Sequence, residues 1–175
     1  MPRLKSDTPF PKRIRLTELE HGFEWSGRIE LPELPRLLEE SVGSDDGSLW
    51  VSVSVVKGRS ELFWITLRVQ GSLQQECQRC LEATQTELQL DLRAALVTSE
   101  GEQSLLDEDD DFILIEEIVD DDSSVDLLSL IEDECLLALP SSPKHEDCEA
   151  AKLQAGDIEE VVPPNPFLKL AELKN

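Results

Sequence analysis

The chain has 175 residues, of which 39% are hydrophobic, and its formal net charge at pH 7 is −22. This length fits a single domain, and so large an excess of acid repels a nucleic-acid backbone and attracts basic partners. No apolar run is long enough for a membrane-spanning helix, and no apolar stretch follows the basic residues near the N-terminus. We therefore expect neither a membrane span nor a secretory signal, and we expect the protein to be cytoplasmic.

Charge divides the chain into a basic beginning and an acidic second half. Residues 1–15 hold five Lys or Arg and one acid, and the prolines among them predict a flexible lead-in. Residues 99–160 hold 22 Asp or Glu and two Lys. We expect a single α+β domain over residues 16–148, followed over residues 149–175 by an acidic linker and a short amphipathic segment.

Alternating apolar residues predict an antiparallel meander of about four strands. The first pattern lies around residues 23–31, and the other three lie within residues 49–97. Every second side chain is apolar, which is typical of a strand with one buried and one wet face. The glycine-containing step at residues 56–60 predicts a hairpin. The residues expected to point inward in the last three strands are Leu49, Val51, Val53, Val55, Phe63, Ile65, Leu67, Val69, Leu88, Leu90, Leu92 and Leu96.

Apolar residues at helical spacing predict one short and one long helix. The short helix covers residues 34–42, after two prolines. The long helix is expected to start at a Ser124 cap, to end before Pro140 and to pack on the sheet through an apolar face that includes Cys135. The acid-rich stretch 99–111 is expected to be a solvated loop.

Two Cys/His pairs have the residue types of a Cys₃His zinc site. Cys77 and Cys80 are separated by two residues, as are His145 and Cys148. Two-residue gaps allow both side chains of a turn to reach one tetrahedral ion at about 2.3 Å. Because 64 residues separate the pairs, the sequence leaves open whether the fold joins them or leaves four unconnected, reduced side chains. A dithiol redox site is disfavoured, because the Cys-x-x-Cys step joins antiparallel strands rather than lying in a βαβ unit.

The basic residues of the predicted sheet mark a candidate RNA contact. Lys57 and Arg59 lie at the hairpin tip, and Arg79 lies between the two cysteines of the Cys-x-x-Cys step. The alternative is that these cations balance nearby acids in solvent. The sequence shows no nucleophile paired with a base and no glycine loop that would hold phosphate, so we do not expect an enzyme.

Four blocks of residues follow one another along most of the chain. They are Cys-Gln-Arg-Cys-Leu-Glu at 77–82, Asp-Leu-Leu with Glu-Asp-Glu at 126–134, Leu-Ala-Leu-Pro with His145 and Cys148 at 137–148, and Asn-Pro-Phe with Leu-Lys at 165–174. In this order they resemble the YceD family, the large ribosomal RNA subunit accumulation proteins of bacteria and plastids. The resemblance implies a role in accumulating or processing large-subunit ribosomal RNA, with no established catalytic mechanism.

The resemblance and the charge distribution together lead to two functional expectations. The first is a non-enzymatic ribosome biogenesis factor whose acidic surface contacts a basic ribosomal protein or an rRNA-processing factor, with any direct rRNA contact made by the basic residues. The alternative is a zinc-dependent RNA-binding module built on the two Cys/His pairs. Near the C-terminus, Phe167, Leu170 and Leu173 are expected either to dock on a partner or to fold back on the sheet.

Overall fold

The computed structural model describes residues 3–4, 9–19, 21–43 and 46–151, and these ranges form one large and one small sheet. The strands are β1 (Arg3–Leu4), β2 (Arg13–Arg15), β3 (Phe23–Glu30), β4 (Ser48–Lys57), β5 (Phe63–Glu76), β6 (Ala83–Val97), β7 (Asp111–Leu114) and β8 (Ser124–Asp126). In the large sheet the strand order is β1-β3-β4-β5-β6-β7, and β2 pairs with β8 in the small sheet. The long strands β3 to β6 are antiparallel, whereas the short edge strands β1 and β7 pair in parallel.

Among the described residues one helix is long and the others are short. The helices are α1 (Leu16–Leu19), α2 (Pro35–Glu39), α3 (Glu100–Gln103), α4 (Ile115–Ile118) and α5 (Leu127–Ala138), with 3-10 turns at Leu31–Glu33 and Arg59–Glu61. None of them, within these ranges, combines the length and the apolar composition that a bilayer crossing requires. The apolar face of α5 packs against the inner face of the sheet through Leu127, Leu130, Ile131 and Cys135.

The α+β class predicted from the sequence is confirmed, and the large sheet has more strands than the four that were expected. The added strands are β1, with two residues, and β7, with four. Strands this short leave no alternating pattern that a sequence reading can detect. They pair with the outer edges of the meander, and short strands in this position protect a sheet from pairing with other chains.

The predicted strand register holds in the centre of the sheet. Val53 of β4 pairs with Leu67 of β5, which pairs in turn with Leu92 of β6. Val53 and Leu67 are at most 1% exposed. Leu92 and Leu90, on the same face of β6, are only partly buried. The inner face of β6 is therefore less completely covered in its middle than the alternation predicts.

Three local predictions need correction. Arg13–Arg15, which the sequence assigns to a flexible lead-in, form β2 and pair with β8. The cap of α5 is Asp126, whose carboxylate accepts a hydrogen bond from the Ser129 amide at 2.9 Å, and not Ser124, which lies in β8. Asp and Ser are equally good caps, so a local pattern does not choose between two candidates this close. Helix α3 interrupts the stretch 99–111 that was expected to be a loop.

The side chain of Glu132, in α5, caps the N-terminus of α2 and is buried, with only 4% of the residue exposed. Its Oε1 accepts hydrogen bonds from the backbone N–H groups of Arg36 at 2.6 Å and Leu37 at 3.1 Å, and its Oε2 accepts one from Nε of Arg36 at 2.9 Å. Early helix amides of this kind normally bond to the residue that caps the same helix, and α2 has no such side-chain cap. The carboxylate of α5 supplies the missing acceptor and ties the two helices together.

The packing at the centre of the sheet predicts that three substitutions lower the free energy of unfolding by different amounts. Leu67→Ala is expected to lower the free energy of unfolding by about 2–5 kcal/mol, because it opens a cavity in the middle of the core. The matched control Gln89→Ala, at an exposed position of β6, should lower it by less than about 0.5 kcal/mol. Leu92→Ala should fall between the two, because Leu92 is only partly buried. Urea unfolding measures all three, and equal effects for Leu67 and Gln89 would mean that the register is wrong.

The burial of the Glu132 carboxylate predicts that substitutions of Glu132 and Asp133 differ in their effect on stability. Glu132→Ala is expected to lower the free energy of unfolding by about 3–5 kcal/mol, because two backbone amides and one guanidinium lose their acceptor. Asp133→Ala removes a surface carboxylate that pairs with the same Arg36, and it should cost less than about 1 kcal/mol. Thermal and urea unfolding of both variants give the comparison. Similar losses from the two variants would contradict the capping role of Glu132.

Candidate metal centre

The Cys-x-x-Cys turn closes the long β5–β6 hairpin, where residues 77–82 connect the two strands. The backbone N–H of Cys77 donates to the carbonyl of Glu82, and the N–H of Leu81 donates to the carbonyl of Cys77, both at 2.9 Å. Leu81 adopts a φ of +63°, a left-handed conformation that a residue other than glycine rarely takes. The tight turn that results holds Cys77 and Cys80 at one end of the sheet.

The segment after α5 returns to this turn and carries the second pair of candidate ligands. The backbone N–H of Gln78 donates to the carbonyl of Pro143 at 2.9 Å, and the N–H of Ala151 donates to the carbonyl of Arg79 at 2.8 Å. These two hydrogen bonds lie on either side of the His-x-x-Cys pair in the chain. The fold therefore joins the two halves, which the sequence alone left open.

The four candidate ligands converge on one point. The thiol sulfurs of Cys77, Cys80 and Cys148 and a ring nitrogen of His145 all lie within 4.8 Å of one another. The Sγ atoms of Cys77 and Cys148 are 3.7 Å apart, and Sγ of Cys80 lies 3.4 Å from Nδ1 of His145. Around a tetrahedral zinc ion, two thiolates would be about 3.8 Å apart and a thiolate and an imidazole nitrogen about 3.5 Å apart. Both the donor types and their separations fit zinc.

Neighbouring groups fix the orientation of these ligands. Nε2 of His145 lies 3.1 Å from the carbonyl of Ala83. When Nε2 donates this hydrogen bond, Nδ1 is free to bind a cation. Nε of Arg79 donates to Sγ of Cys148 at 3.0 Å. Nη2 of the same arginine donates to the carbonyls of His145 and Glu146 at 3.3 and 3.2 Å. The guanidinium thus offsets the negative charge that three thiolates bring to a zinc centre.

The thiols have different pKa values because their surroundings differ. Burial acts to raise the pKa of Cys77, but backbone hydrogen bonds at Cys80, His145 and Arg79 outweigh it and lower this pKa to about 5. For Cys80, a backbone hydrogen bond at Glu82 lowers the pKa, but burial and the neighbouring sulfur atoms outweigh it, so that this pKa is raised. The cluster therefore favours the thiolate form of Cys77 and disfavours that of Cys80. A divalent cation is the kind of group that holds all three sulfurs in the thiolate form.

The other candidate RNA-contact residues, Lys57 and Arg59, lie beside the β4–β5 connection and are paired with acids. Lys57 pairs with Glu61. Nη1 of Arg59 lies 2.7 Å from Oδ2 of Asp107, and Nη2 lies 2.8 Å from Oδ1 of Asp110. RNA phosphates would have to replace these carboxylates. The contact with RNA stays a prediction.

Two further sequence predictions concern the apolar residues near the C-terminus and Arg79. The apolar residues Phe167, Leu170 and Leu173 lie outside the described ranges, so their docking stays a prediction. Arg79, which the sequence suggests as an RNA contact, donates a hydrogen bond to a candidate ligand, and its contact with RNA stays a prediction. Its position between the two cysteines was the available signal for this bond, since the middle residues of such a turn lie next to the candidate ligands.

Comparisons with known proteins point to one family. The family model described as Large ribosomal RNA subunit accumulation protein YceD matches residues 65–174. A Haemophilus influenzae protein of the same description is 30% identical over 167 residues, which cover 91% of this chain and 92% of that protein. No solved structure matches the chain. The two matches confirm the resemblance seen in the sequence blocks.

The geometry predicts that the purified protein carries close to one zinc ion per chain. Removal of the ion by a chelator should lower the melting temperature, because the ligands bind metal only in the folded arrangement. His145→Ala and Cys80→Ser should each reduce the zinc content to a small fraction of one. Metal analysis and thermal unfolding measure the two effects.

Cys135 provides the matched control for these substitutions. It is fully buried in the core, and burial raises its pKa to about 12. Cys135→Ala should leave the zinc content at one per chain even if it lowers the melting temperature. Protein that is fully folded without any metal, and whose melting temperature does not respond to zinc, would contradict the assignment of the centre.

Proposed function

We infer the function from one premise: this chain belongs to the YceD family, whose members are described as large ribosomal RNA subunit accumulation proteins. We propose that it is a non-enzymatic biogenesis factor that supports accumulation of large-subunit rRNA by holding a basic ribosomal protein or a processing factor. The observation that carries this proposal is the pairing of Arg13, Lys57, Arg59 and Arg68 with acids on a chain whose net charge is −22. Such an excess of acid attracts basic proteins and repels bare RNA.

The state of the basic residues supports a protein partner over RNA. Beyond Lys57 and Arg59, the exposed Arg68 lies 3.1 Å from the carboxylate of Asp91 across the β5–β6 ladder. Near the start of the described chain, Arg13 pairs with Asp120 at 2.6 Å. A protein that binds nucleic acid by charge presents its cations unpaired along one face. Here the acids next to them cancel much of that attraction.

The acidic residues, in contrast, include some that form no salt bridge within the described part of the chain. Glu116 and Glu117, adjacent on α4, are exposed examples. Their like charges repel one another across short distances, so a cationic partner that approaches them relieves an existing repulsion. A basic ribosomal protein outside the ribosome has the opposite excess. We propose that the factor shields such a protein and presents it to the assembling subunit.

Zinc has a structural role in this proposal. The four candidate ligands would join the hairpin turn to the segment after α5, and 64 residues of chain separate the two pairs. A closed Cys₃His set keeps no open position for a substrate, which is typical of structural rather than catalytic zinc. The centre would therefore shape the surface and take no part in a reaction. Phe167, Leu170 and Leu173 are proposed as a further docking element on the same partner.

We expect the tagged protein to recover a large-subunit ribosomal protein or a processing factor from growing cells, and nuclease treatment should not release it. In cells that lack the gene, the wild-type protein should restore the amount of large-subunit rRNA. Recovery that depends entirely on intact RNA would contradict the proposal.

The zinc-dependent RNA-binding alternative predicts a different result in a gel-shift titration with bare large-subunit rRNA. That alternative requires binding that weakens steeply between about 50 and 200 mM salt and that is lost in a Lys57→Ala/Arg59→Ala variant. The control variant Arg28→Ala/Arg68→Ala removes two exposed cations elsewhere on the sheet. We expect weak binding with no difference between the two variants. A selective loss in the first would favour the alternative.

A further inference from the structure

An acidic groove lies between the end of α5 and the hairpin turn that carries the first two candidate ligands. It has a volume of about 710 Å³. Its walls come from α2 and the residues after it, the end of β5, the hairpin turn, the end of α5 and the segment that follows. Among the described residues that line it, Glu39, Glu40 and Glu76 are acids and none is a Lys or Arg, so a cationic occupant is favoured.

Gln75 is an unusual residue for its position in the strand. Leu67, Val69 and Leu73 occupy alternate positions of β5 and are buried in the core, and Gln75 continues the same alternation. It is only 5% exposed, and its Oε1 has no hydrogen-bond partner among the described residues. A buried carbonyl oxygen without a donor destabilises the folded protein. A ligand that enters the groove with an N–H donor would satisfy it.

The C-terminus of α5 adds a second unsatisfied feature on the same wall. Its last turn contains no basic residue that would balance the partial negative charge of the helix end. Leu137, in this turn, is 80% exposed and gives an apolar contact at the edge of the groove. Glu39 and Glu40 face the groove from the end of α2. Together these groups match a segment that carries Lys or Arg side chains next to an apolar residue.

The opposite wall belongs to the hairpin turn. Gln78 and Pro143 both line the groove, and the backbone hydrogen bond between them joins the turn to the segment that carries the second ligand pair. On the other side, the N–H of Val42 donates to the carbonyl of Gln74 at 2.7 Å and holds the chain after α2 against β5. The groove is thus built from elements that backbone hydrogen bonds fix in place.

We propose that this groove binds a Lys- or Arg-bearing segment of the partner protein. The inference rests on the proposed function and names the surface at which that function takes place. A cationic side chain lies between the acids and the C-terminus of α5, an N–H donor of the segment bonds to Oε1 of Gln75, and an apolar side chain packs on Leu137.

The test uses the full-length protein and the total proteins extracted from purified large ribosomal subunits as the probe. Wild-type protein should bind at least one of these proteins saturably. A groove variant, Glu39→Gln/Glu40→Gln/Glu76→Gln, should weaken that binding by about tenfold or more, since three charge pairs are lost. The control Glu87→Gln/Glu100→Gln/Glu108→Gln removes the same charge from exposed positions elsewhere and should change affinity by less than about threefold.

Gln75→Met separates a role in binding from a role in folding. Methionine has a similar length but no buried oxygen to satisfy, so the melting temperature should stay the same or rise. Affinity for the same ribosomal protein should still fall by about fivefold or more. Unchanged affinity in this variant would overturn the assigned contact with Oε1.

Two other occupants are outcomes of the same set of experiments. In the free protein, the NMR amide signals of Gln75, Gln78 and Leu137 should not move when Phe167, Leu170 and Leu173 are replaced by alanine in the full chain. A shift would assign the groove to the protein's own C-terminal segment and overturn the proposal. A dimer that the groove variant abolishes would assign it to a second copy and have the same effect.

The failures of the two proposals are distinguishable. If wild-type protein binds no large-subunit protein and no processing factor, the proposed function fails, and the partner assigned to the groove fails with it. If wild-type protein binds and the groove and control variants lose affinity equally, the proposed function stands and the groove is the wrong surface.

Discussion

The continuous β5–β6 ladder is the interaction on which the rest of the structure depends. It runs from Phe63 paired with Leu96 to Glu76 paired with Ala83. Its central residues form the middle of the core, and the turn at its end holds half of the candidate metal centre. Because a one-residue slip would turn every side chain to the other face, the burial of one face fixes the register and with it the position of the turn. The segment after α5 must reach that turn, which restricts where α5 can lie.

Acidic residues stabilise this fold in some places and act against it in others. Glu132 is buried and serves as an acceptor for amides at the start of α2. Asp107 and Asp110 pair with Arg59 and hold the acidic loop against the hairpin tip. Most other acids are solvated, and a net charge of −22 favours expansion of the chain through self-repulsion. The acids that have no basic neighbour are therefore the ones from which a cationic partner gains most.

In this protein, sequence patterns predict the structural features to which many residues contribute. They miss the features that depend on a single side chain. The alternation in β4 and β5 is readable because a whole face is buried, and the ligand types of the metal centre are readable from their spacing. Convergence of the two pairs depends on the fold, since 64 residues separate them. The bonds of Glu132 to α2 have no local pattern at all, and the only signal for the bond of Arg79 to Cys148 is the position of Arg79 between two cysteines. Leu92 shows the limit of alternation, which gives the face of a residue but not how well that face is covered.

The candidate metal centre and the acidic groove share a wall, and this relates the stability of the protein to its proposed function. The backbone contact of Gln78 with Pro143 lies between them. Backbone hydrogen bonds alone are weak constraints on an exposed segment, because each contributes only about 1 kcal/mol net. A cation bound by ligands from both parts of the chain closes a long loop, and ordering such a loop is otherwise opposed by its conformational entropy. Metal binding would then keep the groove's wall in place before a partner arrives, so that less ordering has to accompany the binding of that partner.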